Sequence, residues 1–138
     1  MRRVVADQSA AFQSDHFLAR LANYTDARFA LFEHAPAAER RQRFRALIQQ
    51  HKLPLTFIET GVNVPLVLET HQDDGIEIAF RSAAFIFNGV WVRVIGTMSL
   101  NSLEGPVRFE MDTGEHGDEV AYLTETELQI LRDRGLSV

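Results

Sequence analysis

The chain has 138 residues, of which 46% are hydrophobic and 24% charged, with a formal net charge of −5 and no cysteine. That length suits one ordinary domain able to bury a core. The lack of thiols excludes disulfides, thiolate zinc sites, cysteine nucleophiles and cysteine-ligated clusters, so packing alone must hold the fold.

Near the start, the run Val4-Val5-Ala6 is too short for a signal peptide or a membrane span, and a cytoplasmic address is expected. "SDHFLARLANY" follows, where Ser14 can cap a helix and Phe17, Leu18, Leu21 and Tyr24 share one face. A second helical stretch is expected through "DARFALFEH". A third begins at Pro36, since a helix start leaves its first N–H groups unpaired and proline has none to lose. This helix runs to about His51, with Phe44, Leu47 and Ile48 as its apolar stripe. It is also the basic element of the chain: Arg40, Arg41, Arg43, Arg45 and Lys52 stand against Glu39 alone. "KLP" breaks the pattern.

From Leu55 the apolar period changes from 3.6 to 2 and glycines punctuate. "VNVPLVLET" is expected as one strand, with Pro65 at its start or on the sheet's edge because proline cannot donate to a ladder. "HQDDG" turns the chain into "IEIAFRSAAFIF", which ends at Asn88-Gly89, a pair suited to the positive φ angles of a type I′ hairpin turn. "VWVRVIGTMSL" returns, and "PVRFEMD" alternates as a half-exposed strand should. "LTETELQILRDRGL" then has Thr124 and Glu127 in capping-box spacing and Gly135 placed to end a helix. The expected fold is a single α+β domain over residues 1–138. It has N-terminal helices, a mainly antiparallel meander sheet of about five strands and a short C-terminal helix.

The two-residue turn sets a register. Phe87, Phe85 and Ala83 then face Val90, Val92 and Val94 on one side of the sheet, and Ile86 and Ser82 face Trp91 and Ile95 on the other, with Phe80, Ile78 and Ile76 extending the second row. Both sides are apolar, so both must be covered. A crossing helix, the sheet's own curvature or a second copy of the chain would serve, and the second copy is favoured. Phe80, Ile86, Trp91, Arg93 and Ile95 are therefore the interface or pocket candidates. Arg93 is the odd charge among them; a carboxylate such as Glu110 or Glu77 is the expected partner, because an unpaired buried guanidinium costs several kcal/mol.

Catalytic signatures are missing: the chain has no G-x-S-x-G elbow, no phosphate loop and no dinucleotide fingerprint. "DTGEHGDE" (Asp112 to Glu119) starts like a calcium loop, but Gly114 and His116 occupy its third and fifth positions and Leu123 its twelfth, so a solvated turn is expected. His71, Asp73 and Asp74 form another ligand-type cluster, placed by the meander at the opposite end of the sheet. No metal and no cofactor is assigned. Arg40, Arg41, Arg43 and Arg45 could touch an anion or a partner, but an acidic chain whose helix aromatic faces the core makes a nucleic-acid role the weaker reading. The expected function is non-enzymatic binding, as a homodimer or as an adaptor for another protein. A small-ligand pocket or acid-base enzyme in a curved sheet stands second, and nucleic-acid contact third.

Overall fold

A computed structural model describes residues 2–113 and 120–123. In chain order the elements are β1 (Arg2–Val5), α1 (Gln8–Ser14), α2 (His16–Leu21), β2 (Thr25–Phe29), α3 (Ala37–Gln49) and β3 (Lys52–Phe57). They continue with β4 (Asn63–Asp73), β5 (Glu77–Ser82), β6 (Phe85–Phe87), β7 (Val90–Ser99), β8 (Glu104–Met111) and β9 (Val120–Leu123). The chain divides into two compact units, one formed by Asn23–Ala83 with Val94–Arg108, the other by Met1–Ala22, Ala84–Arg93 and Phe109–Val138. The expected C-terminal helix and most of "DTGEHGDE" lie outside the described residues.

The first unit is a closed antiparallel barrel of six strands, in the order β5-β4-β3-β2-β8-β7, with β5 pairing back onto β7. Period-2 burial builds it: Leu53 and Leu55 of β3, Val64, Leu66 and Leu68 of β4, and Ile78 and Phe80 of β5 all point inward. The segment expected as a second helix is β2. Ala27 and Phe29 are buried while Asp26 and Arg28 face outward, and the strand pairs with β3 on one side and β8 on the other, so tertiary pairing overrides the local helical pattern. "KLP" is likewise the start of β3 rather than a break. α3 begins after Pro36, which occupies the cap position, and buries Phe44 and Ile48; Phe44 meets Phe29 edge-on at 5.2 Å.

Pro54 and Pro65 lie opposite each other across β3 and β4. Neither can donate a ladder bond, and Pro65 is tolerated because β5 pairs β4 only from Leu68 onward, leaving no partner on that side to satisfy.

Gly96, expected within the returning strand, and Gly105, expected in a turn, both sit inside strands where the backbones of β7 and β8 approach. A Cβ on Gly105 would lie 1.9 Å from the Thr97 carbonyl oxygen, and one on Gly96 would lie 2.4 Å from that of Pro106. Gly61, by contrast, has open space around it but a φ of +73°.

In the second unit, β1 pairs in parallel with β9, and the two short helices are capped by aspartates. Asp7 accepts from Ala10 N, and Asp15 accepts from Leu18 N, so the helix expected in "SDHFLARLANY" is α2, capped by Asp15 in place of Ser14 and ending at Leu21, with α1 preceding it. Asn88 and Gly89 have φ values of 50° and 81°, and the hairpin between β6 and β7 has the expected register: Phe85 opposite Val92, Ile86 opposite Trp91, Phe87 opposite Val90. Gln8 clamps this hairpin like a missing strand. Its Oε1 accepts from Trp91 N (2.7 Å), and its Nε2 donates to the carbonyls of Gly89 (3.0 Å) and Val5 (2.6 Å). Val5 N also donates to Gly89 O.

We expect Gly105→Ala to lower the unfolding free energy by more than about 2 kcal/mol, the scale of overpacking against an unyielding backbone. Urea unfolding of this variant beside Gly61→Ala checks the cause: the Gly61 change meets no neighbour and carries only left-handed strain of about 1–2 kcal/mol.

Candidate protein interface

The expected second apolar row does not survive the turn at Ala83-Ala84, which splits the long strand into β5 and β6. An uninterrupted hairpin would set Phe80 opposite Thr97; Phe80 pairs with Gly96, one residue out of step. Since side chains alternate, that shift moves Phe80 and Ile78 inward with Met98 and Val94, and Ser82 Oγ accepts from Val94 N at 2.8 Å. Phe80 is 6% exposed and is no surface residue. The sheet's own curvature therefore supplies the cover for which a second copy of the chain was favoured. Ile86, Trp91 and Ile95 remain half-buried.

Arg93 is 9% exposed, and its Nη2 lies 3.1 Å from Oδ1 of Asp112, a residue also nearly buried. Asp112, which sequence pattern did not single out for this role, is thus a carboxylate partner of Arg93. It is the first residue beyond β8, and its backbone N–H donates to Trp91 O at 2.9 Å, which fixes the side chain beside the guanidinium. Of the stretch "DTGEHGDE", this aspartate is structural.

The arginines of α3 are largely engaged by their own chain. Arg40 donates to the carbonyls of Phe29 and Leu31 and lies 5.3 Å from the Phe29 ring centroid. Arg43 pairs with Glu39 and covers Phe32, Arg45 reaches Asp73 at 3.6 Å, and Arg41 touches Asn101. Arg40 is held by backbone carbonyls, whereas the pairs of Arg43 and Arg45 are more than half exposed on the arginine side and contribute about 0–1 kcal/mol each.

A groove of 380 Å³ beside the β4–β5 turn is lined by Gln72, Asp73, Asp74, Glu77 and Ala79. Its walls are carboxylates, unlike the apolar enclosure that holds a small organic ligand. Asp74 accepts the N–H groups of Ile76 and Glu77, both at 2.8 Å, and these backbone hydrogen bonds hold its carboxyl below the usual carboxylate range. Among the described residues no group of three or more His, Asp or Glu side chains is placed to hold a metal ion. None of the described helices is long and apolar enough to cross a membrane.

What the barrel does offer is an outward apolar face on β3 and β4. Pro54 and Pro65 are paired across it, Val67 is 59% exposed opposite Lys52, and Ile58 beyond the end of β3 is 47% exposed. Thr56 and Asn63 join their side chains between these apolar residues by a hydrogen bond at 2.5 Å. The turn at the end of the face is tied by Gly61 N to Phe57 O and Phe57 N to Val62 O. No sequence argument singled these residues out, because their apolar neighbours on both strands are core and the outer row is visible only once the register is known. The signal available was the two prolines, which mark a stretch of ladder with no hydrogen bonds to give.

The sequence profile of the core binding factor beta subunit matches residues 1–134. The chain belongs to the core binding factor beta family. Two Drosophila melanogaster proteins are similar to it: protein brother, 31% identical over 137 residues, and protein big brother, 29% identical over 136. Each alignment covers 91% of this chain and 64% of the relative, so the chain spans somewhat under two thirds of the length of these two relatives.

Asp112→Ala is expected to destabilise the fold, by at most about 3–5 kcal/mol, because it removes a carboxylate partner from a nearly buried guanidinium, whereas replacing both residues by apolar ones of similar size recovers most of that loss. Chemical denaturation of the single and double variants measures it. For Asp74, a lowered folded pKa means its stabilisation is fully present above the unfolded value of about 3.9 and disappears as pH falls through the lower folded value. Carboxyl-detected NMR should place its titration midpoint below that of exposed aspartates.

Proposed function

We propose that the chain is a non-enzymatic subunit that binds a Runt-domain transcription factor and raises that factor's affinity for DNA without touching DNA itself. The observation that carries this reading is the family match across residues 1–134, whose description is that of a subunit. Its place of action would then be with its partner in the nucleus, in place of the cytoplasmic address expected from composition.

Physical features of the chain support the division of labour. A net charge of −5 adds no phosphate contacts, and the α3 arginines are turned to their own chain. Enhancement must then act through the partner: the subunit binds the DNA-competent conformation of the Runt domain more tightly than its alternatives and shifts the population toward it. Such coupling is reciprocal, so DNA raises the subunit's affinity for the Runt domain by the same factor. For the contact surface we favour the outer face of β3 and β4. Pro54, Pro65, Val67 and Ile58 present apolar area there with little side-chain freedom to lose, and the prolines have no N–H groups that burial would leave unpaired. Ile86, Trp91 and Ile95 are half-buried and add less exposed area; Phe80 and Arg93 are enclosed.

The test mixes the chain with a purified Runt-domain protein and a duplex carrying its binding site. A one-to-one complex is expected by light scattering, with no band shift of DNA by the chain alone. The complex should bind DNA more tightly than the Runt domain alone, with an unchanged slope of log affinity against log salt. Val67→Glu should weaken the heterodimer at least tenfold, about 1.4 kcal/mol, while leaving thermal stability near wild type because Val67 is exposed. A steeper salt slope in the complex would contradict a subunit that stays off the DNA, and full binding by Val67→Glu would remove the proposed surface.

A further inference from the structure

Two histidines that sequence spacing leaves unrelated, His51 and His71, meet on the barrel unit. Their ring centroids are 5.4 Å apart and their planes are inclined by 58°. His51 is the residue after the α3 cap, at φ +60°, with its N–H donating to Ile48 O; its carbonyl accepts from Leu68 N at 2.7 Å. His71 lies in β4, opposite Phe80 of β5. Backbone bonds therefore fix both residues, one at the end of a helix and one in a paired strand, and both rings reach solvent.

We propose that His51 and His71 form a two-imidazole chelate for a borderline divalent transition metal, Zn²⁺, Ni²⁺ or Cu²⁺, which ties the end of α3 to β4. Metal-to-imidazole nitrogen bonds of about 2.0–2.1 Å put the ion ~3.2 Å from each ring centroid, and a tetrahedral angle then separates the two centroids by ~5.2 Å. The observed centroid separation of 5.4 Å is close to that spacing, so rotation of the imidazole rings about their side-chain bonds suffices to bring a nitrogen of each to the ion. Imidazole nitrogen selects this class of ion over calcium or magnesium, which require oxygen ligands. With no group of three ligating side chains among the described residues, water completes the coordination. Asp73, two residues along β4, is paired with Arg45 of α3. Because the ion bridges two elements of the folded state, its binding adds to stability by mass action.

The experiment titrates the full chain with Zn²⁺, and separately with Cu²⁺ as a paramagnetic probe, after removal of metal with a chelator. Saturable binding, a rise in the unfolding temperature that EDTA reverses, and Cu²⁺ broadening of amide signals centred on residues 51 and 71 are the expected results. His51→Gln and His71→Gln should each weaken Zn²⁺ binding at least tenfold, and a triple variant of His16, His34 and His116 to Gln should retain it. Broadening centred elsewhere, binding unaffected by either single substitution, or no saturable binding would overturn the chelate. The broadening measurement needs no variant, so it decides the matter even where a substitution disturbs the α3 junction.

Discussion

Closure of the sheet by the pairing of β5 with β7 is the constraint on which the rest of the barrel unit depends. Without it, Ile78, Phe80 and Met98 would sit on an open apolar face that water does not tolerate at that size. With it, the same residues fill an interior, and no second molecule is needed to cover them. Closure costs one irregularity, at Ala83-Ala84, where the ladder steps by a residue and every side chain on the β5 side changes face. It also demands that β7 and β8 run close together, which is why Gly96 and Gly105 carry no side chain.

Once the inner face is closed, function is left to the outer one. The groove at the β4–β5 turn is lined by Asp73 and Asp74, whose carboxylates accept turn hydrogen bonds or pair with Arg45, together with Glu77, Gln72 and Ala79. Exposed apolar side chains occur at several places, Tyr24, Leu31, Phe32 and Ile76 among them, and on β3 and β4 the paired prolines and Val67 form a stiff outward surface. A stiff surface suits a subunit whose role is to select one conformation of a partner, since little of the binding free energy is lost in ordering its own side chains.

Charge is handled locally throughout. The arginines of α3 read in sequence as one basic stripe, yet carbonyls, aromatic rings and single carboxylates absorb most of them. Arg93 and Asp112 show the same economy in the second unit, where a guanidinium in an apolar strand is neutralised by the first residue beyond β8. Under the function proposed above, an acidic chain with its cations so engaged works beside a DNA-binding partner rather than on the DNA.

The sequence by itself determined the elements whose cause is local. The Asn88-Gly89 hairpin and its register follow from the positive φ that those two residues accept, α3 follows from Pro36 and the Phe44 stripe, and the strand-rich second half follows from period-2 alternation. Only the tertiary structure decided what depends on partners distant in the chain. It made a strand of Thr25–Phe29 because β3 and β8 flank it, turned Phe80 inward through a one-residue step, gave Arg93 to Asp112, and brought His51 to His71. The reason is physical: backbone dihedral preferences act within a few residues and are written in the local sequence. Register between distant strands is fixed by closing a barrel, a condition that no short stretch contains.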